Sequence, residues 1–230
     1  MSAPVRERRR ILIGAVSFAD AESVLRLAEK MSAALTLDFG GLLIEDSDAV
    51  GAAGSPRARL VTSTGVLVPG PTAERAGMIA RAEARAFRAA LSRLAAARGV
   101  GWSFETRTGE LVSGLIGEAQ GWDLLAIGYR QIRRPSGRII LLGTEGGGGG
   151  EADTVVDALA AALGARVERL PLPDDDAALD RLSRSHAAAV VVDLSDGVGL
   201  NEDALRRLID AARCPVLIVG AGPRPTPSAG

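Results

Sequence analysis

Short apolar runs rich in branched residues alternate with longer segments of helical periodicity along most of the 230-residue chain. The first half contains the runs RRRILIGAV, LTLDFGGLLIED and WDLLAIG, and a long helical segment extends from Thr72 to Arg98 with Gly99 as its stop. Parallel strands need long crossover connections, which helices usually supply. The alternation therefore predicts an α/β fold with a mostly parallel open sheet, or two such sheets, and helices on both faces.

The alternation begins again after the segment GYRQIRRPSGRIILLGT at residues 128–144. RIILLG, RVERLPL, AAAVVVDL and CPVLIV are four further strand-like runs, separated by three helical segments. This restart predicts two fused, reduced domains at residues 1–130 and 131–220, followed by a disordered Pro-rich tail at 221–230. A single large sheet is the alternative.

Local signals add three expectations about the elements. Asp20 is a candidate N-cap for the first helix, and the paired glycines Gly40 and Gly41 suggest a bulge in the second strand. The run PDDDAALD places Asp174, Asp175 and Asp176 at a helix start, where they suit the cap and the helix dipole. These acids therefore need no catalytic explanation.

Composition limits the classes of partner. The chain has 27 Lys and Arg against 28 Asp and Glu, and 47% of its residues are hydrophobic, so no global attraction to nucleic acid or to an anionic membrane is expected. The single cysteine, Cys214, cannot form an intrachain disulfide. The sequence shows no signal segment and no apolar run near the roughly 18 residues that span a bilayer. A cytoplasmic protein is expected.

Several of these pieces, in this order, resemble the universal stress protein family. They are the first strand ILIGAV, the strand exit GLLIEDSD, the long Arg/Ala-rich helix, the stretch GWSFETRTGELVSGLIGEAQGWDLLAIG, and RCPVLIV near the end of the chain. The resemblance implies an open, mostly parallel sheet of the adenine nucleotide alpha hydrolase-like type, a homodimer, and a cytoplasmic stress-response protein that binds ATP or has lost that ability. A tandem arrangement is implied, with both copies reduced.

The resemblance also implies a phosphate-binding loop after the fourth strand, in which two residues and then nine residues separate three glycines, and Ser or Thr follows. Gly128 fills the first place, and Gly143 with Thr144 could fill the last, but Gln131 replaces the second glycine and eleven residues separate it from Gly143. Val16 stands where ATP-binding members have an aspartate, which leaves Ser17 as the polar group there.

The candidate cofactor-binding residues are therefore Ser17, Gly128, Arg130, Gly143 and Thr144, with ATP as the candidate ligand. Arginines in the same segment could bind an anion by charge-assisted forks, and they are Arg130, Arg133, Arg134 and Arg138. The alternative is that this segment is a linker between the two halves, and that the fold survives as a dimerising or partner-binding module without a ligand.

Other candidate sites are weaker. The glycine run in TEGGGGGEAD lacks the lysine and the Ser/Thr of a P-loop, and His186 is the only histidine of the chain. Cys214 precedes the last strand and is expected to pack in the core. No nucleophile elbow, Ser–His–Asp set or metal-ligand spacing is present in the sequence. A protein without enzymatic activity and without a metal site is expected.

Overall fold

The computed structural model describes residues 8–46, 59–61, 67–69, 72–129, 137–143, 150–195, 197 and 200–221. The elements in chain order are β1 (Arg8–Ala15), α1 (Phe18–Met31), β2 (Thr36–Asp46), β3 (Arg59–Val61), β4 (Leu67–Pro69), α2 (Ala73–Arg98), β5 (Trp102–Gly109), α3 (Leu111–Gly117), β6 (Leu124–Ile127), β7 (Arg138–Gly143), α4 (Glu151–Leu163), β8 (Arg166–Pro171), α5 (Asp176–Arg184), β9 (Ala189–Asp193), α6 (Glu202–Ala212) and β10 (Val216–Val219).

Eight strands form one sheet in the order β5-β2-β1-β6-β10-β9-β7-β8, and β3 and β4 form a separate antiparallel pair. Within the large sheet every neighbouring pair is parallel except β6 and β10. The α/β fold with a mostly parallel sheet is thus confirmed. Strands of both halves share the sheet, as in the single-sheet alternative, while the domain boundaries at residues 130 and 220 stay a prediction.

The antiparallel β6–β10 pair reverses the strand direction in the middle of the sheet. Val216 faces Ile127 and Val219 faces Leu124 in this ladder. Because all other neighbours are parallel, the carboxyl ends of β1, β2, β5 and β6 lie at one edge of the sheet, and those of β7 to β10 lie at the opposite edge. The two halves therefore present their strand ends, where ligands bind in open α/β sheets, in opposite directions.

The core has two layers, one on each face of the sheet. Helices α1, α2 and α4 cover one face, where Ile11 and Ile13 point, and helices α3, α5 and α6 cover the other, where Leu12 points. This alternation follows the period of two in a strand. Each fully buried aliphatic side chain stabilises the folded state by about 1.5–3 kcal/mol. Strands that are buried on both faces have apolar residues at nearly every position.

Helix ends follow the local sequence with one correction. Asp175 and Asn201 cap α5 and α6, and Gly99 ends α2 in the left-handed conformation, as the sequence predicts for Asp175 and Gly99. Ser17, and not Asp20, is the N-cap of α1, because the helix begins at Phe18 and Asp20 lies in its first turn. No helix among the described residues is long and apolar enough to cross a bilayer.

The predicted bulge at Gly40 and Gly41 is wrong. The β1–β2 register runs without interruption from Arg8 opposite Thr36 to Ala15 opposite Leu43. The glycines have a packing reason instead, because a Cβ on Gly40 would overlap the Trp122 ring. Residues 222–230 of the predicted tail lie outside the described residues.

We expect Gly40→Ala to destabilise the protein by about 1–3 kcal/mol, because the added methyl group overpacks a filled core. Gly117→Ala is the matched control, since nothing lies within 4 Å of the position that its Cβ would occupy. It should change the stability by less than about 0.5 kcal/mol. Urea denaturation of both variants checks the difference, and equal stabilities would contradict the packing of Trp122 on Gly40.

Candidate functional site

Ser17 and Gly128 come together at the carboxyl ends of β1 and β6, around the first turn of α1. The Gly128 N–H donates to the Gly14 carbonyl at 2.9 Å, and the Ser17 carbonyl accepts from the Ala21 N–H at 3.1 Å. This edge is where the resemblance places a nucleotide. The site is therefore built from the β1–α1 turn and the exit of β6.

The Ser17 hydroxyl is committed to the helix cap. Its oxygen accepts from the Asp20 N–H at 3.2 Å, and its O–H donates to an Asp20 carboxylate oxygen at 2.5 Å. Both bonds hold the first turn of α1 closed, and they place a carboxylate beside the hydroxyl. Ser17 therefore acts as a structural cap.

Gly128 lies directly against the backbone of α1. A Cβ at this position would be 2.6 Å from the carbonyl carbon and oxygen of Asp20, and 2.9 Å from the nitrogen of Ala21. The next residue, Tyr129, donates its N–H to the Ser23 hydroxyl at 3.3 Å. Close approach of strand and helix explains the glycine here, as it does for one of the glycines in dinucleotide-binding folds.

A residue that sequence reasoning missed completes this edge. Glu83, in the middle of α2, accepts a hydrogen bond at its carboxylate from the Phe18 N–H, the first backbone amide of α1. A helix N-terminus attracts anions because its first amides are unpaired and the helix dipole is positive there. The chain thus supplies its own anion at this position, and the long separation along the sequence left no local signal for it.

Gly143 lies at the opposite edge of the sheet. The residue pairings of β7 with β9, of β9 with β10 and of β10 with β6 place Leu142 level with Leu125, near the start of β6. Gly143 and Gly128 are therefore separated by about 14 Å across the sheet and about 13 Å along the strands. The structure brings Ser17 and Gly128 together and keeps Gly143 apart from them. Ligand binding at either place stays a prediction.

The remaining candidates of the segment 128–144 divide into two groups. Arg130 and Thr144 lie outside the described residues, as do Arg133 and Arg134. Arg138 is described, and its guanidinium donates to the Glu168 carboxylate and to the Ser185 carbonyl, both at 2.7 Å. These bonds tie β7 to β8 and to the end of α5, so Arg138 has a structural role.

The second half presents its own strand ends at the other edge. An Asp193 carboxylate oxygen accepts from the Ser195 N–H at 2.9 Å, and a Cβ on Gly220 would be 2.8 Å from that same nitrogen.

His186 has a positive φ of 53°, and its Nδ1 is 2.7 Å from the Arg184 carbonyl. Among the described residues no group of three or more His, Cys, Asp or Glu is placed to hold a metal ion.

The most perturbed carboxyl group belongs to a cluster that joins the two halves. Partial burial would raise the pKa of Glu110, but hydrogen bonds from Arg206 and from the amide and hydroxyl of Ser113 outweigh burial and lower this pKa to about 2. Arg206 lies 3.1 Å from Glu110, and the Ser113 hydroxyl donates to Glu202 at 2.7 Å. These contacts link α3 to α6, so the lowered pKa has its cause in the packing of these two helices.

A cavity of about 430 Å³ lies between β7, β8 and α5. Its wall is mostly apolar, with Leu142, Leu170 and Leu182, and its rim carries Arg138 and Arg181. The cavity lies beside β8, an outer strand of the sheet, and no local sequence pattern predicts it. Of the candidate residues that the structure describes, Arg138 lines this cavity, whereas Ser17, Gly128 and Gly143 do not.

Cys214 is buried against the second face of the sheet, as predicted. Burial raises the pKa of its thiol to about 12, although a hydrogen bond with the Val190 backbone opposes the shift. The thiolate is the reactive form of cysteine, so this group is poorly suited to be a nucleophile.

We expect iodoacetamide to alkylate native Cys214 at pH 8 at least about a hundredfold more slowly than the urea-unfolded chain. Because the folded pKa of about 12 exceeds the unfolded value near 8.5, the thiol stabilises the fold below about pH 8.5. That contribution is lost as the pH rises toward 12. In urea denaturation, the Cys214→Ala variant should not show this part of the loss of stability at alkaline pH. Equal alkylation rates for native and unfolded chains would contradict the burial.

Comparisons with known proteins agree with the architecture. Neither the known protein families nor the curated proteins contain a match to this sequence. The crystal structure of a universal stress protein from Archaeoglobus fulgidus DSM 4304 superposes with a TM-score of 0.51 at 10% sequence identity, over 93% of this chain and 96% of that chain. At this identity the likeness concerns the fold. The chain thus has a universal-stress-protein-like fold.

Proposed function

We propose that this chain is a universal-stress-protein-like module of the cytoplasm that acts through protein contacts, without a bound nucleotide and without catalytic activity. The observation that carries the proposal is the Glu83 carboxylate at the N-terminus of α1. It stands where the phosphates of a nucleotide would be attracted, and it makes that position unfavourable for a second anion.

The surroundings of Glu83 support the same proposal. The Asp20 carboxylate lies at the first turn of α1 and engages the only hydroxyl of the β1–α1 turn, Ser17. Gly128 fits against the α1 backbone and leaves no space between them for a phosphate group. Val16, at the place of the nucleoside-binding aspartate, is an apolar side chain that is 51% exposed.

The rival proposal is ATP binding at this edge, by Gly128 together with Arg130 and neighbouring arginines. It rests on the sequence resemblance and on the likeness of fold. For the phosphates of ATP to reach the Phe18 amide, the Glu83 carboxylate would have to leave it. The two proposals thus differ in what ATP does to the stability of the protein.

Thermal unfolding with magnesium-ATP separates the proposals. Wild-type protein should show a shift of less than about 1 °C at millimolar ATP, whereas a ligand at about a hundred times its Kd adds roughly 2.7 kcal/mol, or several degrees for a chain of this size. Glu83→Gln removes the charge at the helix N-terminus, and Glu22→Gln removes one from an exposed position of α1 as the matched control.

The variants also report on the cap itself. Glu83→Gln should lower the free energy of unfolding by about 1–2 kcal/mol, because it weakens a charge-assisted hydrogen bond to the first amide of α1. Glu22→Gln should change it by less than about 0.5 kcal/mol. A wild-type shift of several degrees that grows with ATP concentration would overturn the proposal in favour of ATP binding.

A further inference from the structure

Within the part of the chain that the structure describes, β5 is an outer strand of the sheet, and its lateral edge is free of a strand partner. Among the described residues, β2 is its one neighbour in the sheet, and most of its side chains are exposed. The Phe39 N–H donates to the Gly101 carbonyl at 3.0 Å, so the backbone of Gly101 faces β2. Backbone groups of successive strand residues point to alternate sides, which turns those of Phe104, Thr106 and Thr108 outward. An added strand would find these donors and acceptors unpaired by the sheet.

Helix α2 brings unpaired positive charge to this edge. None of the ion pairs among the described residues includes an α2 arginine. Arg81, Arg85 and Arg88 recur at i, i+4 and i+7, so they share one side of the helix. We call these three residues the arginine flank.

Two contacts orient the arginine flank toward β5. The Arg88 guanidinium lies over the Trp102 ring, 6.0 Å from its centroid, and Trp102 begins β5. On the other side of α2, Glu83 reaches the amide of Phe18 in α1. The helix therefore turns Glu83 toward α1 and its arginine flank toward the free edge of the sheet.

We propose that the β5 edge and the arginine flank bind an extended acidic segment of a partner protein, which joins the sheet as an additional strand. The inference rests on the proposed function, because it names the partner that a module acting through contacts would bind. Strand addition uses backbone bonds for affinity and alternate side chains for specificity. Acidic residues at every second position would then meet the arginine flank on one face.

The spacings of the two elements agree with this arrangement. Along α2 the arginines are separated by four and three residues, or about 6 and 4.5 Å. Alternate side chains of a strand are about 6.7 Å apart. An acidic residue at every second position can therefore pair with consecutive arginines. Trp102, which is 40% exposed, would be covered at the end of the added strand.

A second copy of this chain fits the same edge less well. Antiparallel pairing of two β5 strands about Thr106 would set Glu105 opposite Arg107 of the other copy, which is favourable. The same pairing would bring the arginine flanks of two α2 helices to one interface, where like charges repel. An extended acidic partner can form backbone hydrogen bonds with the edge of β5 and ion pairs with the arginine flank.

Fluorescence anisotropy with labelled model peptides tests the proposal on the full chain. The probe is the alternating peptide (Glu-Val)6, with (Lys-Val)6 as the charge control and (Glu-Pro)6 as an acidic peptide in which proline removes every second backbone N–H. Arg85→Glu/Arg88→Glu should weaken (Glu-Val)6 binding at least about tenfold. The matched control is Arg75→Glu/Arg93→Glu, which makes the same charge change at exposed positions on another side of α2.

The strand edge is tested by Thr106→Pro, which removes one outward N–H and should also weaken binding about tenfold or more. If that variant does not fold, NMR mapping on the wild type replaces it, and peptide addition should shift the amides of Phe104, Thr106 and Thr108. The control arginine pair should change the Kd less than about twofold, and (Lys-Val)6 and (Glu-Pro)6 should bind at least about tenfold more weakly.

Four results would overturn the inference: no (Glu-Val)6 binding, equal loss with both arginine pairs, equally strong (Glu-Pro)6 binding, or a dimer that Thr106→Pro dissociates. Failure here is distinguishable from failure of the proposed function. If the peptide does not bind and ATP does not shift the unfolding temperature, only the proposed partner is excluded. If ATP shifts the unfolding temperature of the wild-type protein, the proposed function is excluded whatever the peptide does.

Discussion

The antiparallel ladder between β6 and β10 is the contact on which the rest of the architecture depends. It joins two blocks of parallel strands that run in opposite directions, and it does so through fully buried aliphatic residues, Val216 to Val219 opposite Leu124 to Ile127. Because the blocks are reversed, each half directs its strand ends to a different edge. The strand order places β5 and β8 at the two sides of this sheet, where the edge beside α2 and the cavity beside α5 lie.

In the first half, groups of the chain itself lie around the N-terminus of α1 at the strand ends. A helix N-terminus at a strand end attracts anions. In this chain Ser17 and Asp20 close the first turn of α1, and Glu83 supplies a carboxylate to its first amide. Gly128 supports the close contact between β6 and α1. A ligand-binding edge and an internal packing contact therefore share the same chemical features, and the groups that lie against them distinguish the two.

Local patterns predict the elements well and their assembly poorly. The alternation of apolar runs with helical segments is sufficient for the α/β class, and for caps and stops such as Asp175 and Gly99. The run VLIV of β10 is apolar on both faces, so it carries no information about its direction or its neighbour. A glycine does not reveal which atoms approach it, so the sequence does not predict the Trp122 ring beside Gly40 or the α1 backbone beside Gly128. Glu83 acts across 65 residues of sequence, beyond any local pattern.

Interstrand nuclear Overhauser effects in isotope-labelled protein test the reversal most directly. Antiparallel partners bring opposed Cα atoms to about 4.5 Å in alternate pairs, which gives strong contacts between α-protons that parallel strands lack. The account predicts such contacts between β6 and β10, in the register that sets Ile127 opposite Val216 and Leu124 opposite Val219. A parallel pattern between these strands, or no contact between them, would contradict it.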